Sequence, residues 1–255
     1  MNAITKLLRD LVAIPSINPA FAPGDKKLTG EEPVACHLIT LAKRLGLAIT
    51  RQPVLPGRRN LLVTLEPVGK VQRRIVLAPH LDVVPGDARQ FNPVIKNNRL
   101  FGRGACDTKG SVAACFHAFC KIARQKQRPK HTEIIFAGLV DEECGQAGSR
   151  ALGRSKLKAD LAIAGEPTML KVVTAHKGNL WLQLETKGRA AHGAKPELGR
   201  NAIGAMSDAI NLLQTEYTAH LKKRRHPLLG SPTINIGVIR GGNQPNVVPD
   251  RCTID

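Results

Sequence analysis

Three short apolar runs in the first 170 residues each end in acid. Arg74–Ala78 leads into Pro79-His80-Leu81-Asp82, Thr132–Val140 into Asp141-Glu142-Glu143, and Asp160–Ala164 into Gly165-Glu166-Pro167. Each run has strand length and is bounded by Pro, Gly or polar residues. A helical pattern from about Thr108 to Ala123 lies between the first two. Strands separated by a helix argue for an α/β fold whose sheet is mostly parallel and covered by helices on both faces. Such a sheet sends its carboxyl ends to one edge, where ligands gather in open α/β folds.

A further acid, Asp107, stands just before that helix in the stretch Gly102–Gly110. One His and at least four carboxylates cannot share a crevice without a compensating cation. Imidazole with carboxylates suits zinc, with cobalt or manganese as alternatives. The donors outnumber what one zinc needs, which points to two ions about 3.5–4 Å apart. Asp82, two residues beyond His80, suits the carboxylate that fixes the tautomer of a ligand imidazole. Taken singly, Asp107 would be a helix N-cap, Glu142 and Glu143 a solvated loop, and His80 a structural histidine. Their recurrence at successive strand ends is what carries the metal reading.

Around this core the pattern predicts an amphipathic first helix (Ile4, Leu7, Leu8, Leu11, Val12) and a strand at Asn60–Leu65. It also predicts a second helix opened by a capping box, Thr29-Gly-Glu-Glu32, and stopped at Gly46. The pattern changes near Lys171, dividing the chain into a domain over 1–171 and a smaller α+β domain over 172–255. In the latter, strands are expected at Val172–Thr174, Leu180–Thr186, Thr233–Ile239 and Arg251–Asp255. A helix is expected from about Asn201, with Ile203, Met206, Ile210, Leu213, Tyr217 and Leu221 on one face.

Composition narrows the function. Aromatics make up 3% of the chain, too few for the stacking platforms of single-strand nucleic-acid binders. No apolar run approaches the roughly 18–20 residues that span a bilayer, and the charged, amphipathic start reads as the first helix of a domain rather than as a signal peptide. A cytoplasmic protein with its six cysteines reduced is expected, since several of them sit inside apolar runs as small buried residues do and no C-x-x-C pair occurs. The net charge of +18 is spread along the chain, with clusters such as Arg58–Arg59 and Lys121–Lys130 read as solvated basic surface. A nucleic-acid binder would use that charge, but no nucleic-acid motif accompanies it, and neither nucleic acid nor membrane is expected as a partner.

His80-Leu-Asp82, Gly102–Gly110, Asp141-Glu-Glu143 and Gly165-Glu-Pro167, in that order, resemble the metallopeptidase family that groups aminoacylase, acetylornithine deacetylase and succinyl-diaminopimelate desuccinylase. The resemblance implies that His80, Asp107 and Glu166 hold one zinc. Asp107 would bridge to a second zinc held with Glu143, Glu142 would be the general base, and Asp82 would orient His80. Ala190-Ala-His192-Gly-Ala and Gly199-Arg-Asn201 resemble the family's lid, which implies a homodimer in which His192 stabilises the oxyanion in the partner's site. Gly241–Pro249 resembles a glycine-rich segment whose Asn, here Asn246, lies near the substrate. His176 and Arg200 are left as structural or rim residues.

Ala175-His-Lys-Gly178 and Ser231–Gly237 look most like the acetylornithine deacetylase branch. That implies a small N-acyl amino acid, such as N-acetylornithine, as substrate. Desuccinylases and dipeptidases share the same metal residues, and a non-catalytic zinc-binding fragment is the other alternative. The resemblance also implies that members continue past Asp255, with the rest of the lid, a return to the first domain and a late His on the second zinc. Little turnover is then expected from this polypeptide alone.

Overall fold

Leu7, Leu11 and Val12 recur on one side of the first helix, α1 (Ala3–Val12), and are buried. Asn2 caps it by accepting the Thr5 N–H at 2.8 Å. The computed structural model describes residues 1–25 and 27–255. After α1 come α2 (Glu32–Lys43), β1 (Ala48–Leu55), β2 (Arg58–Leu65), β3 (Arg73–Ala78), β4 (Val94–Lys96) and β5 (Arg99–Phe101). They are followed by α3 (Lys109–Ala123), β6 (Thr132–Gly138), α4 (Ala147–Arg154) and β7 (Leu161–Ala164). All belong to one compact unit, Met1–Leu170; Lys171–Asp255 forms a second.

The central sheet of the first unit has the order β1-β2-β6-β3-β7. Strands β6, β3 and β7 run parallel, whereas β1 and β2 are antiparallel, joined by a hairpin turn in which Gly57 takes φ +71°. The sheet is therefore α/β and mixed. The antiparallel half was not anticipated, because Ala48–Leu55 carries Thr50, Arg51 and Gln52 and a proline. Pro53 is tolerated because β1 is an edge strand and its register slips between Pro53 and Leu55.

Strand β6 shows why the runs are apolar throughout. Ile134 and Phe136 point to a core shared with α1, α2 and α3, where Phe116 meets Phe136 edge-on with ring centres 5.0 Å apart. Ile135 and Ala137 point to the opposite face, with Val76, Leu62 and Leu152 of α4. Both faces are covered, so alternation of apolar with polar residues disappears.

The expected capping box does not form. Helix α2 begins at Glu32 with Glu31 as its N-cap and no side-chain cap bond, while the Thr29 hydroxyl donates to the Asp25 carbonyl. Both halves of the box are engaged elsewhere: the Glu32 carboxylate pairs with Arg51 and Arg59, and the neighbouring Glu31 pairs with Arg58. Arg58 is correspondingly no solvated surface base, since its side chain is 14% exposed.

In the second unit, β8 (Leu184–Lys187), β12 (Arg251–Ile254) and β10 (Ile239–Gly241) make one small sheet, and β9 (Ala191–His192) pairs with β11 (Val247–Val248). Helix α5 (Ala202–Leu212) is capped by the Asn201 side chain and packs Ala202 and Met206 against Cys252 and Ile254. A wider π turn links it to α6 (Thr218–Lys222). Ile203 and Tyr217 lie outside the buried face, which is centred on Met206. The strand expected at Val172–Thr174 does not form. Those expected at Leu180–Thr186 and Thr233–Ile239 are realised only from Leu184 and from Ile239 onward, with Gly237 and Val238 bonding the Asp255 backbone just before the ladder. Leu180, Trp181 and Leu182 are exposed. All six cysteines are free, and no helix among the described residues is long and apolar enough to cross a membrane.

Candidate metal centre

The carboxyl ends of β3, β6 and β7 meet at one edge of the sheet. The β3–β6 pairing carries on past both strands in the same register, with His80 opposite Leu139. The β3–β7 register sets Ala78 opposite Ala164, so two residues further on His80 stands level with Glu166. Asp107 arrives from the other side, at the foot of α3. It does not cap that helix, whose N-cap is Thr108. The Thr108 hydroxyl instead donates to the Gly165 carbonyl at 2.5 Å and ties this foot to the segment carrying Glu166.

The result is a cage of five side chains. His80 Nε2 lies 3.2 Å from Asp107, 3.7 Å from Glu142 and 3.7 Å from Glu166. Two sets, His80–Asp107–Glu143 and His80–Glu142–Glu166, each bring one donor atom per residue within 4.8 Å of one another. His80 is buried, while Asp107, Glu142 and Glu166 reach solvent. Burial disfavours the His80 charge, but hydrogen bonds to Asp107 and Asp82 carry its imidazole up to about 10. Burial first, then the charge of Asp107, pushes Glu143 up to about 7. Burial and mutual repulsion also raise Glu142 and Glu166. Crowded carboxylates that hold protons at such cost are the donor set a divalent cation replaces them in, and imidazole with oxygen ligands fits zinc.

Asp82 has more contacts than a partner for His80. The His80 Nδ1 sits 3.0 Å from the Asp82 carbonyl and 3.5 Å from its carboxylate. The fully buried carboxylate accepts the backbone N–H groups of Glu142 and Glu143, each at 3.1 Å, and the Asn18 amide at 2.7 Å. Asn18 also donates to Asp141 at 3.1 Å. Sequence reasoning passed over Asn18, Glu31 and Arg58. Their signal was weak: a polar pair, Ser16 and Asn18, inside an apolar segment, and an arginine pair after a turn glycine that reads as basic surface. Lys109 was also missed. It is fully buried, donates to the Ile14 carbonyl at 2.6 Å, and is pushed down to about 7 by burial.

His192 and Asn246 lie in the second unit and come together there. Val247 pairs with His192, and the Asn246 carbonyl accepts the Gly193 N–H at 2.7 Å. The Ala194 N–H donates to His192 Nδ1 at 3.1 Å, which leaves the neutral ring its proton on Nε2. His192 and Asn246 are exposed. Beside them opens a cleft of about 560 Å³, lined by residues such as Asn201, Gly241, Gln244 and Val248 and by no charged side chain.

A mixed α/β sheet with an imidazole–carboxylate cage at its carboxyl edge, able to hold a metal ion, is the architecture of a metallohydrolase class. Residues 76–250 match Peptidase family M20/M25/M40, and the chain belongs to that family. It is 31% identical over 262 residues to an acetylornithine deacetylase of Vibrio cholerae, covering 100% of this chain and 67% of the relative. It is 33% identical over 259 residues to the acetylornithine deacetylase of Proteus mirabilis, covering 98% of this chain and 65% of that protein. The chain thus spans about two thirds of the length of these relatives. Its fold is shared with an M20-family metallo-carboxypeptidase of Sulfolobus solfataricus, at TM-score 0.64 and 17% identity over 100% of this chain and 70% of that one. A tripeptidase of Staphylococcus aureus superposes with TM-score 0.61 at 23% identity, over 98% and 64%.

Proposed function

We propose that this chain carries the metal centre of a cytoplasmic zinc amidohydrolase that removes an acyl group, acetyl in the first instance, from the nitrogen of an amino acid such as N-acetylornithine. One observation carries the reading: His80 and four carboxylates converge at one sheet edge in a chain about one third identical to acetylornithine deacetylases. His80, Asp107 and Glu166 would hold one ion, and Asp107 with Glu143 a second. Bound there, the metal supplies Lewis-acid polarisation of the amide carbonyl and lowers the pKa of a water towards about 7.

The side chains do the rest. Glu142, open to solvent and 3.7 Å from His80, takes the proton of the attacking water and returns it to the leaving amine. Its raised pKa suits a group that must both accept and release a proton. Asp82 holds His80 and the Glu142–Glu143 backbone at once, which fixes the proton acceptor relative to the imidazole. We assign His192, with its proton on Nε2, to the developing oxyanion of the partner subunit's site in a homodimer, and Asn246 beside it to the substrate.

The test is zinc content by elemental analysis on this chain and on Glu143→Ala. Hydrolysis of N-acetylornithine, an N-succinyl diamino acid and a dipeptide is assayed in parallel. Zinc bound by the parent and reduced in the variant, with N-acetylornithine the preferred substrate, is the expected result. A parent that binds no zinc overturns the reading. A preference for the succinyl substrate or the dipeptide moves the chain to another activity on the same centre.

A further inference from the structure

Strand β2 runs antiparallel to β6, so its beginning lies beside the end of β6. Leu61 is opposite Gly138, and the Asn60 side chain accepts the Val140 N–H at 3.1 Å. This brings Arg58, the first residue of β2, alongside Asp141, the first residue of the acidic turn. Arg58 Nη1 donates to Asp141 Oδ1 at 2.9 Å, and its other two nitrogens grip Glu31, with Nε 3.1 Å from Oε2. Glu31, 2% exposed, also accepts the Asp141 backbone N–H at 3.2 Å. Asp141 is therefore held from both its side chain and its backbone.

That hold has a job. Asp141 sits at φ +67°, a left-handed conformation costly for a non-glycine residue, which persists only where its surroundings over-determine it. Reversing the chain at Asp141 is what turns Glu142 and Glu143 back towards His80. Gly145 closes the same turn so tightly that a Cβ there would stand 2.5 Å from the Asp141 carboxylate. Among the described residues, Arg58 and Glu31 form no hydrogen bond or ion pair with the five cage side chains. They are linked to the cage through Asp141, which precedes Glu142 and whose carboxylate accepts the Asn18 amide that also donates to Asp82.

We propose that Arg58, clamped between Glu31 and Asp141, is a positioning residue for the metal centre: its guanidinium fork sets the Asp141 turn and thereby the placing of Glu142 and Glu143. The inference rests on the metal reading above. Lysine keeps the charge but cannot bridge two carboxylates with a rigid fork.

The experiment is a spectrophotometric Co²⁺ titration of the chelator-stripped protein, its folded fraction fixed by circular dichroism. Arg58→Lys is expected to weaken Co²⁺ binding about tenfold, the lower end of what outer contacts contribute to metal affinity. Phe136→Leu, a change in the buried core of β6 rather than in the clamp, is the control: it lowers the melting temperature and leaves Co²⁺ affinity unchanged. Should Arg58→Lys fail to fold, Glu31→Gln loosens the same clamp isosterically and is expected to weaken binding several-fold. Parent-like affinity in the clamp variant overturns the inference, as does an equal loss in Phe136→Leu. A parent that binds no Co²⁺ overturns the metal reading itself, a result distinct from either.

Discussion

The carboxylate of Asp82 accepts the backbone N–H of Glu143 at 3.1 Å while its own carbonyl faces the His80 ring. One residue thus holds the histidine and the acidic turn in a single frame. Asp82→Ala removes that frame and strands the N–H groups of Glu142 and Glu143 and the Asn18 amide. Hydrogen bonds to a buried charge are worth about 1.5–3 kcal/mol each, so a loss of at least about 3 kcal/mol is expected in urea unfolding. Asp82→Asn, which keeps one acceptor oxygen, loses less. Equal stability of parent and Asp82→Ala would show that the turn is held elsewhere.

Much of this site was legible because four of its donors are local: His80, Glu142, Glu143 and Glu166 each follow a strand closely in sequence. The parallel order of β6, β3 and β7 brings them to one edge, and Asp107 stands just before α3. The clamp behind them was not. Arg58 meets Asp141 across 83 residues, Glu31 across 110 and Asn18 across 123, and no short window holds both partners. The same limit hid β1, whose polar residues and proline suit only an edge. It also produced strands in the second unit, where apolar runs such as Leu180–Leu182 find no ladder.

Protons and metal compete in the cage. Without metal, Glu143 is raised from 4.5 to about 7 and His80 from 6.5 to about 10, so the folded state binds protons the unfolded chain would release. The Glu143 contribution to stability is present below about 4.5 and lost as pH rises through about 7; that of His80 is full below 6.5 and fades towards 10. Lys109, lowered from 10.5 to about 7, works in the opposite sense above neutrality. The urea midpoint in chelator should therefore fall from pH 5 to pH 7 and then level out. With zinc the fall should vanish, because the ion takes the place of the protons. A midpoint in chelator that climbs from pH 5 to pH 7 contradicts this.

Glu142→Gln separates ligand from base. If Glu142 moves the proton, the variant keeps its zinc and loses about 10²–10⁴ in turnover, measured on a chain that turns over N-acetylornithine. Loss of zinc together with activity would make Glu142 a ligand instead.

His192→Ala tests the oxyanion assignment. His192 belongs to the second unit and is not among the proposed metal ligands, so zinc content should be unchanged while kcat drops about 10²–10³, as for the removal of a single oxyanion donor. An unchanged kcat would leave His192 a surface residue of the β9–β11 pair.

The unbroken register from β3 and β6 out to His80 and Leu139 also bears on how this chain can vary among relatives. Gain or loss of one residue anywhere between Arg73 and His80, or between Thr132 and Val140, would slide histidine and acids past each other by a full 3.3 Å step and flip alternate side chains to the wrong face. Differences in length must therefore collect where no frame is kept, at hairpin turns such as Pro56-Gly57. The ladder works as a ruler for the metal centre, and an added residue is compatible with the cage only in the segments it does not measure.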